Sequence, residues 1–200
     1  MRHDGPMKRA LLVIDVQESF RQRPLWQTMS NPELFSNISA LIDATRQSGD
    51  MVVWVLHNEP GTGGLFDSVN GLVKVMPELQ YRKEELVVMK TAHNSFSTTN
   101  LQQQLQLAGV REIVITGIRT EQCCETTARV GSDYGYQTTF VTDATATFVT
   151  PHWSAPAGQS MTEIIADPKS LSGADMTART EYALAGRFAQ IVTTRELVGV

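Results

Sequence analysis

Short apolar runs alternate along the chain with longer stretches that mix apolar and polar residues. The runs are continuously apolar instead of alternating with polar residues, a pattern typical of parallel strands buried on both faces. The sequence therefore predicts six strands, at residues 10–15, 51–57, 86–90, 112–117, 138–144 and 190–194.

The longer stretches between these runs carry the end signals of helices. The stretch 31–49 has a proline near its start and closes at Gly49, and the stretch 97–109 begins with Ser and Thr and closes at Gly109. Proline is favoured in the first turn of a helix and glycine just after the last turn. Two further helices are predicted, from Thr120 to about Tyr134 and from Ala174 to about Ala189.

This order of elements predicts an α/β fold, a three-layer α/β/α sandwich that is doubly wound around a predominantly parallel six-stranded sheet. We expect a single domain over residues 1–200, with residues 1–7 as a loose leader. Two long loops, at residues 58–80 and 145–173, each follow a predicted strand. Ligands in open α/β sheets bind beyond the carboxyl ends of the strands, so we expect the functional site at that edge.

The composition excludes several classes of function. The 17 Lys and Arg nearly balance the 21 Asp and Glu, which gives a formal net charge of −4. No basic run is present, so we expect no nucleic-acid partner. The longest apolar runs fall far short of the roughly 20 residues that a membrane-spanning helix needs, and the first residues lack the apolar core of an export signal. With only two cysteines, the sequence indicates a reduced, cytoplasmic protein without a membrane partner.

Three kinds of reactive side chain are predicted at the carboxyl ends of the strands. Asp15 ends the first predicted strand, Lys90 ends the third, and a turn at Gly117 leads from the fourth to the adjacent Cys123 and Cys124. A carboxylate, an ammonium and a thiol in one cleft can generate and use a thiolate. Each also has an ordinary structural explanation: an Asp can cap the next helix, a Lys can lie in solvent, and a Cys can pack as a small apolar side chain.

Four stretches of the chain resemble one enzyme superfamily. LLVIDVQESF, VVMKTAHNSF, VITGIRTEQCCETTAR and FAQIVTTREL are similar to segments of the isochorismatase-like cysteine hydrolases, which include nicotinamidases, N-carbamoylsarcosine amidases and ureidoacrylate amidases. The resemblance implies a catalytic triad of Asp15, Lys90 and Cys123, since the family's spacing after Gly117 places the nucleophile at Cys123. Cys124 falls where the family usually has an apolar residue, so we expect it to pack within the helix.

The resemblance also implies how the oxyanion of the reaction is held. It predicts a cis peptide bond between Ile118 and Arg119, with the backbone N–H groups of Arg119 and Cys123 as the oxyanion hole. From the residues themselves, Thr120 as the helix N-cap would place Cys123 in the first turn, where the helix dipole and the free amides favour a thiolate. Cys124 would point about 100° away around a helix of 3.6 residues per turn. We therefore expect Cys123, and not Cys124, to be an ionised nucleophile.

The expected activity is hydrolysis of a small amide, carbamoyl or ureido C–N bond through a thioester on Cys123, without a cofactor. Nicotinamidases of the family carry an Asp and two His as metal ligands after the second strand. Here the corresponding region has His57 as its only histidine, so we expect no metal. Side chains that could contact the small-molecule substrate are Phe20, Trp26, His57, Phe148 and His152. Side chains of these types also serve packing, and the resemblance further implies a homodimer or homotetramer.

Two other functions stay open at the level of the sequence. Isochorismatases break a vinyl ether by general acid catalysis from the Asp and need no thiol, so the presence of Cys123 favours the amidase branch. A non-enzymatic redox or binding protein could use the Cys123–Cys124 pair, but that function leaves Asp15 and Lys90 without a role.

Overall fold

The computed structural model describes residues 8–199 and confirms the three-layer α/β/α architecture. Six strands form one sheet in which every neighbouring pair is parallel. The strands are β1 (Lys8–Ile14), β2 (Met51–His57), β3 (Leu86–Lys90), β4 (Val110–Ile118), β5 (Gln137–Ala146) and β6 (Gln190–Val192). Residues 1–7, expected as a loose leader, lie outside the described residues.

The strand order creates the crevice in which the site lies. The order across the sheet is β3-β2-β1-β4-β5-β6, so the chain builds away from β1 in one direction and then returns to add β4 on its other side. Helices that follow β1 and β4 cover opposite faces, which leaves an opening at the carboxyl ends of these two strands. At that end of the sheet Ile14 of β1 pairs with Gly117 of β4.

Helices cover both faces of the sheet. The α-helices among residues 8–199 are α1 (Glu18–Arg21), α2 (Leu34–Gln47), α3 (Leu101–Leu107), α4 (Glu125–Asp133), α5 (Met161–Ala166), α6 (Gly173–Leu184) and α7 (Thr194–Val198). Apolar side chains of α2 and α7 pack against one face, and those of α3, α4 and α6 pack against the other. None of the helices in this described part of the chain is long and apolar enough to cross a lipid bilayer.

The predicted elements differ from the observed ones mainly at their ends. The strand β1 stops at Ile14, so that Asp15 lies just beyond it, and β5 extends to Ala146, into the loop predicted at 145–173. That loop also contains the short helix α5, and α2, α3 and α6 are shorter than predicted. The six strands and the four main helices nevertheless fall where the apolar pattern predicts them.

The helix after β4 begins at Thr120 as predicted, but its cap residue and the form of its first turn differ from the expectation. The segment Thr120–Cys124 is a π-helical turn that runs into α4, and Arg119, with extended backbone, occupies the cap position. Thr120 is the first residue inside the helical turn and not its cap, and its hydroxyl donates to Thr145 Oγ1 at 3.0 Å. The wider turn begins with a hydrogen bond from the Cys124 N–H to the Arg119 carbonyl oxygen, at 3.1 Å. Cys123 therefore lies in the first turn, as expected, but in a wider turn whose cap residue lies one position earlier.

Candidate active site

Asp15 occupies a sharp bend just beyond β1. Its φ of 54° lies in the left-handed region, which residues other than glycine seldom adopt and which Asp tolerates better than most. Its N–H donates to the Val55 carbonyl oxygen of β2 at 2.8 Å, which fixes the bend against the neighbouring strand. The carboxyl group is fully buried at the opening between β1 and β4, at 0% exposure.

Lys90 brings the carboxyl group and the thiol together. It is the last residue of β3 and is fully buried. Its Nζ lies 2.8 Å from Asp15 Oδ2, 3.3 Å from Cys123 Sγ and 3.2 Å from the Ala92 carbonyl oxygen. A buried ammonium is tolerated only when its N–H groups have acceptors, and here the acceptors include both of the other reactive side chains.

Gly117 allows the cysteine turn to approach Asp15. A Cβ atom at this position would lie 1.9 Å from the Ile14 carbonyl oxygen, and its φ is +122°. Only glycine combines this backbone conformation with such a close approach between two strands. The chain then passes through the Ile118–Arg119 peptide bond, which is cis, into the turn that carries Cys123.

The two cysteines, both free thiols, have different surroundings. Cys123 is 7% exposed and faces Lys90, and Cys124 is 0% exposed with its Sγ 3.7 Å from the Thr116 carbonyl oxygen. Cys124 is part of the apolar cluster between the sheet and α4. Of the two, only Cys123 contacts a charged side chain of the cleft.

The expectation of an ionised sulfur was wrong for the free protein. Burial and the Asp15 carboxylate raise the pKa of the Cys123 thiol and Lys90 lowers it, with the net result that the pKa is raised to about 12. Burial also raises the pKa of Asp15, although Lys90 counteracts this effect. The pKa of Lys90 is raised because the charges of Asp15 and Cys123 outweigh the burial that lowers it. The pKa of the thiol thus lies far above neutral, and the neighbouring carboxyl group of Asp15, 2.8 Å from Lys90 Nζ, is more basic than usual.

His57 adds a fourth side chain to this cluster. It ends β2, pairs in register with Lys90, and has its Nδ1 3.3 Å from Lys90 Nζ. Its Nε2 lies 3.2 Å from Glu59 Oε1. Gln17 holds the His57 backbone, since its Oε1 accepts from the His57 N–H at 2.7 Å and its Nε2 donates to the His57 carbonyl oxygen at 3.0 Å.

An aromatic cluster continues from His57. The Phe66 ring lies edge-on to His57, with centroids 5.7 Å apart, and edge-on to Phe20, at 4.9 Å. Phe20 stacks on Phe148 at 6.0 Å, and Trp26 contacts Phe148 at 6.0 Å. Phe20 and Phe148 are buried among these rings, and Trp26 is partly exposed. Their predicted contact with substrate stays a prediction.

The Arg119 side chain is engaged by the protein. Its Nε donates to Thr147 Oγ1 at 3.2 Å, and its Nη2 lies 2.8 Å from Thr150 Oγ1 and 2.9 Å from Glu121 Oε1. The guanidinium also lies over the Phe148 ring, 5.4 Å from its centroid. These contacts hold Arg119, which directly precedes the cysteine turn, against the segment that contains Thr147 and Thr150.

His152 is the predicted substrate contact that the structure does not link to this cluster. Its Nδ1 lies 2.8 Å from Ser154 Oγ, and its ring is next to the Trp153 ring, at 5.4 Å. Trp153 is 90% exposed. The contacts of His152 are therefore within its own loop, and its role in substrate binding stays a prediction.

The residues of this cleft do not suit a metal ion of the nicotinamidase type. Within residues 8–199, no three His, Cys, Asp or Glu side chains are arranged to hold a metal. Both ring nitrogens of His57 are engaged, and an added cation would be repelled by the Lys90 ammonium beside it.

Sequence reasoning missed Gln17, Glu59 and Phe66. Gln17 lies two residues after Asp15 and Glu59 lies two residues after His57. In extended chain, side chains two positions apart lie on the same side. The polar residue two positions after each candidate site residue could therefore have been predicted to lie near it. No local signal distinguishes Phe66 from the other aromatic residues of the loops.

Comparison with known proteins identifies the family. The family model described as the isochorismatase domain matches residues 9–167. The chain is 33% identical to the uncharacterised isochorismatase family protein YrdC of Bacillus subtilis over 70% of this chain and 75% of that protein. It is 34% identical to Nicotinamidase 3 of Arabidopsis thaliana over 70% of this chain and 73% of that protein.

A solved structure of an isochorismatase-family protein from Chromobacterium violaceum superposes with a TM-score of 0.84 at 21% identity, covering 100% of this chain and 95% of that one, which shows the shared fold. The chain, with a buried cysteine facing a strand-end lysine and with that lysine paired to an aspartate, therefore belongs to the isochorismatase family of hydrolases.

Proposed function

We propose that the protein hydrolyses a small amide, carbamoyl or ureido C–N bond, with Cys123 as nucleophile, Asp15 as general acid and base, and Lys90 as the charge that holds them together. One observation carries the proposal: a single buried ammonium lies 2.8 Å from the Asp15 carboxylate and 3.3 Å from the Cys123 sulfur. The relation to a protein named as a nicotinamidase supports cleavage of an amide.

Acylation starts from the neutral thiol. Asp15 accepts the proton of Cys123 as the sulfur attacks the substrate carbonyl carbon, and the raised pKa of Asp15 makes it a better acceptor than an ordinary carboxylate. Lys90 remains charged and stabilises the thiolate that forms during this transfer. The tetrahedral intermediate then collapses, the C–N bond breaks, and Asp15 returns the proton to the leaving nitrogen. The products of this half are ammonia or an amine and a thioester on Cys123.

Deacylation uses water and the same carboxylate. Asp15 accepts a proton from water as the water oxygen attacks the thioester carbon. The C–S bond then breaks, and Asp15 returns the proton to the departing sulfur. The carboxylic acid departs and the thiol is regenerated. We propose the backbone N–H groups of Arg119 and Cys123 as donors to the oxyanion in both halves, since amides in the first turn of a helix lack partners from a preceding turn.

The test is ammonia or amine release from a panel of primary amides, N-carbamoyl compounds and ureido acids. We expect turnover of at least one class, its loss in Cys123→Ala, and its retention in the matched control Cys124→Ala. Mass spectrometry after treatment with iodoacetamide should show the label on Cys123 alone, because Cys124 is fully buried. Turnover that survives Cys123→Ala but not Cys124→Ala would reverse the assignment of the nucleophile.

A second candidate function keeps the same cleft. The raised pKa of Asp15 also suits a general acid, which is what the isochorismatase reaction needs to cleave a vinyl ether without a thiol. Hydrolysis of isochorismate that is unaffected by Cys123→Ala and lost in Asp15→Asn would favour this function over the amidase.

A further inference from the structure

Two guanidinium groups flank the aromatic cluster beside the cleft. The Arg23 guanidinium lies 6.0 Å from the centroid of the Phe66 ring. The Arg119 guanidinium lies 5.4 Å from the centroid of the Phe148 ring. Phe20 joins these two rings, since it contacts Phe66 edge-on and stacks on Phe148. The two arginines therefore lie at the two ends of one row of three rings.

The Arg119 guanidinium is held in place with part of its donor capacity unused. Its Nε donates to Thr147, and its Nη2 contacts Thr150 and Glu121. Its Nη1 makes no hydrogen bond within the described part of the chain and is not fully enclosed. Because a guanidinium carries five N–H donors in a fixed plane, the N–H groups of Nη1 can be offered to a ligand.

The positive charge of Arg23 has no counterion among residues 8–199. The half-buried guanidinium contacts the Phe66 ring but makes no hydrogen bond and no ion pair there. Burial lowers the pKa of Arg119, Glu121 opposes that effect, and the positive charge of Arg23 adds to it. The two guanidiniums thus lie within electrostatic reach of each other, and an anion between them would offset their repulsion.

Both groups lie near the reacting sulfur. Arg119 directly precedes the turn that carries Cys123, and a negative charge on this sulfur raises the pKa of the Arg119 guanidinium. The Phe66 ring that Arg23 contacts also packs edge-on against the imidazole of His57, next to the triad. A substrate whose carbonyl carbon lies at Cys123 therefore has the two guanidiniums within reach of its other end.

We propose that Arg23 and Arg119 bind a carboxylate of the substrate, so that the protein acts on small amide, carbamoyl or ureido compounds that are anions. This inference rests on the proposed function, since it names the substrate class of the same site. Arginine is suited to this role because its N–H groups form paired hydrogen bonds with a carboxylate. The other cations of the cleft already have carboxylate partners, Lys90 in Asp15 and Arg119 in Glu121, which leaves the charge of Arg23 for the ligand.

The test compares kcat/KM, measured as ammonia release, for pairs of substrates in which a methyl group replaces the carboxylate. The pairs are N-carbamoyl-β-alanine with propylurea and succinic acid monoamide with butanamide. In wild type the anionic member of a pair should be favoured about tenfold or more. Arg23→Gln should lower this preference about tenfold, mainly through KM, because it removes charge-assisted hydrogen bonds to the carboxylate. Arg23→Lys should restore part of it, since lysine keeps the charge but not the planar pair of donors.

The matched control is Arg187→Gln, at an exposed arginine between α6 and β6. It removes the same charge far along the chain from the cysteine turn, and the preference for the anionic substrates should stay at the wild-type value. A loss of preference equal to that of Arg23→Gln would show that net charge alone, and not a carboxylate site, sets the preference.

Binding gives a readout that does not depend on turnover. In isothermal titration calorimetry, Cys123→Ala should bind the anionic compounds more tightly than the neutral ones, and adding Arg23→Gln should remove most of this difference. Equal preferences in wild type and Arg23→Gln, or a wild-type preference for the neutral compounds, would overturn the inference and leave the proposed amidase intact. Absence of turnover, combined with carboxylate binding that depends on Arg23, would support the carboxylate site and overturn the amidase. Neither turnover nor binding of any of these compounds would overturn both.

Discussion

The buried contact between Asp15 and Lys90 affects both the stability of the fold and the ionisation of Cys123. Both side chains are fully buried, and removing one partner of such a pair typically costs about 3–5 kcal/mol because the other charge is left without compensation. Here the pair has a second consequence, since the same ammonium offsets the burial of the Cys123 thiol while the carboxylate adds to it. The two partners therefore act on the sulfur with opposite sign.

Because Asp15 and Lys90 act on the thiol in opposite directions, we expect Asp15→Asn to lower the pKa of Cys123 and yet to abolish turnover. The substitution removes the charge that raises the Cys123 pKa and leaves Lys90 facing the sulfur, so the thiol should titrate below its wild-type pKa of about 12. Turnover should nevertheless be lost, because no base remains to move protons between sulfur, water and the leaving nitrogen. The thiolate absorbance as a function of pH, in a Cys124→Ala background, measures the first effect, and ammonia release measures the second. An unchanged or higher thiol pKa in Asp15→Asn would contradict this account.

At the residue scale, the sequence identified which side chains come together but not their net effect on the pKa of the Cys123 thiol. Asp15, Lys90 and Cys123 could be selected from their positions at strand ends and from the resemblance, and they lie together. The neutral state of the thiol could not be predicted, because it depends on how completely the folded chain removes water from the sulfur. That quantity follows from packing by several elements and has no local signal.

At the scale of elements, the close contact of β1 and β4 sets the position of the cysteine turn. Gly117→Ala would drive a Cβ into the Ile14 carbonyl oxygen, 1.9 Å away, and neither backbone can retreat without breaking the pairing of the two strands. We expect a loss of folding free energy above about 3 kcal/mol, measured by urea unfolding, or no soluble folded protein.

Gly135→Ala is the matched control for this prediction. Gly135 also has a positive φ, +84°, but a Cβ there would meet nothing within 4 Å. Its cost should be limited to the backbone conformation, about 1 kcal/mol. Equal losses for the two variants would show that the contact with Ile14 is not what requires glycine at 117.

The elements themselves were largely predictable and their ends were not. Continuous apolar runs located all six strands, because strands buried on both faces have no polar positions to interrupt them. The cap at Thr120 was wrong because Arg119 occupies the cap position and Thr120 already lies inside the turn. A Thr near a helix start does not by itself specify whether it is the cap or the first helical residue.

At the scale of the whole molecule, the strand order explains why distant sequence blocks form one site. The first, third and fourth strands are far apart in the chain, and β2 separates β3 from β1 in the sheet, yet the side chains that follow or end these strands meet near the carboxyl end of β1. The alternation of strands and helices predicts a parallel sheet, but the order of strands depends on the direction of each crossover, which no local pattern encodes. The sequence analysis accordingly predicts the parallel sheet and not its strand order.

The proposed quaternary structure belongs to the same scale. We propose that the protein is a homodimer or homotetramer, as the resemblance implies, and sedimentation velocity should give two or four times the mass of one chain. Large side chains such as Trp153 and Tyr182 are about nine-tenths exposed in the single chain, and association would cover apolar surface of this kind. A species with the mass of one chain over the whole micromolar range would contradict this expectation.

The bend, the strand end and the π turn that carry the reacting groups are distinct from the connections that supply Phe20, Phe66 and Phe148. Specificity in this scaffold should therefore be transplantable. The segments that follow Gln17 after β1, His57 after β2 and Ala146 after β5 could be exchanged for those of a relative with another ligand while the acid, the amine and the sulfur keep their mutual distances. Such an exchange has to retain Gln17 and His57, because these two residues join the exchanged segments to the residues that carry the reacting groups.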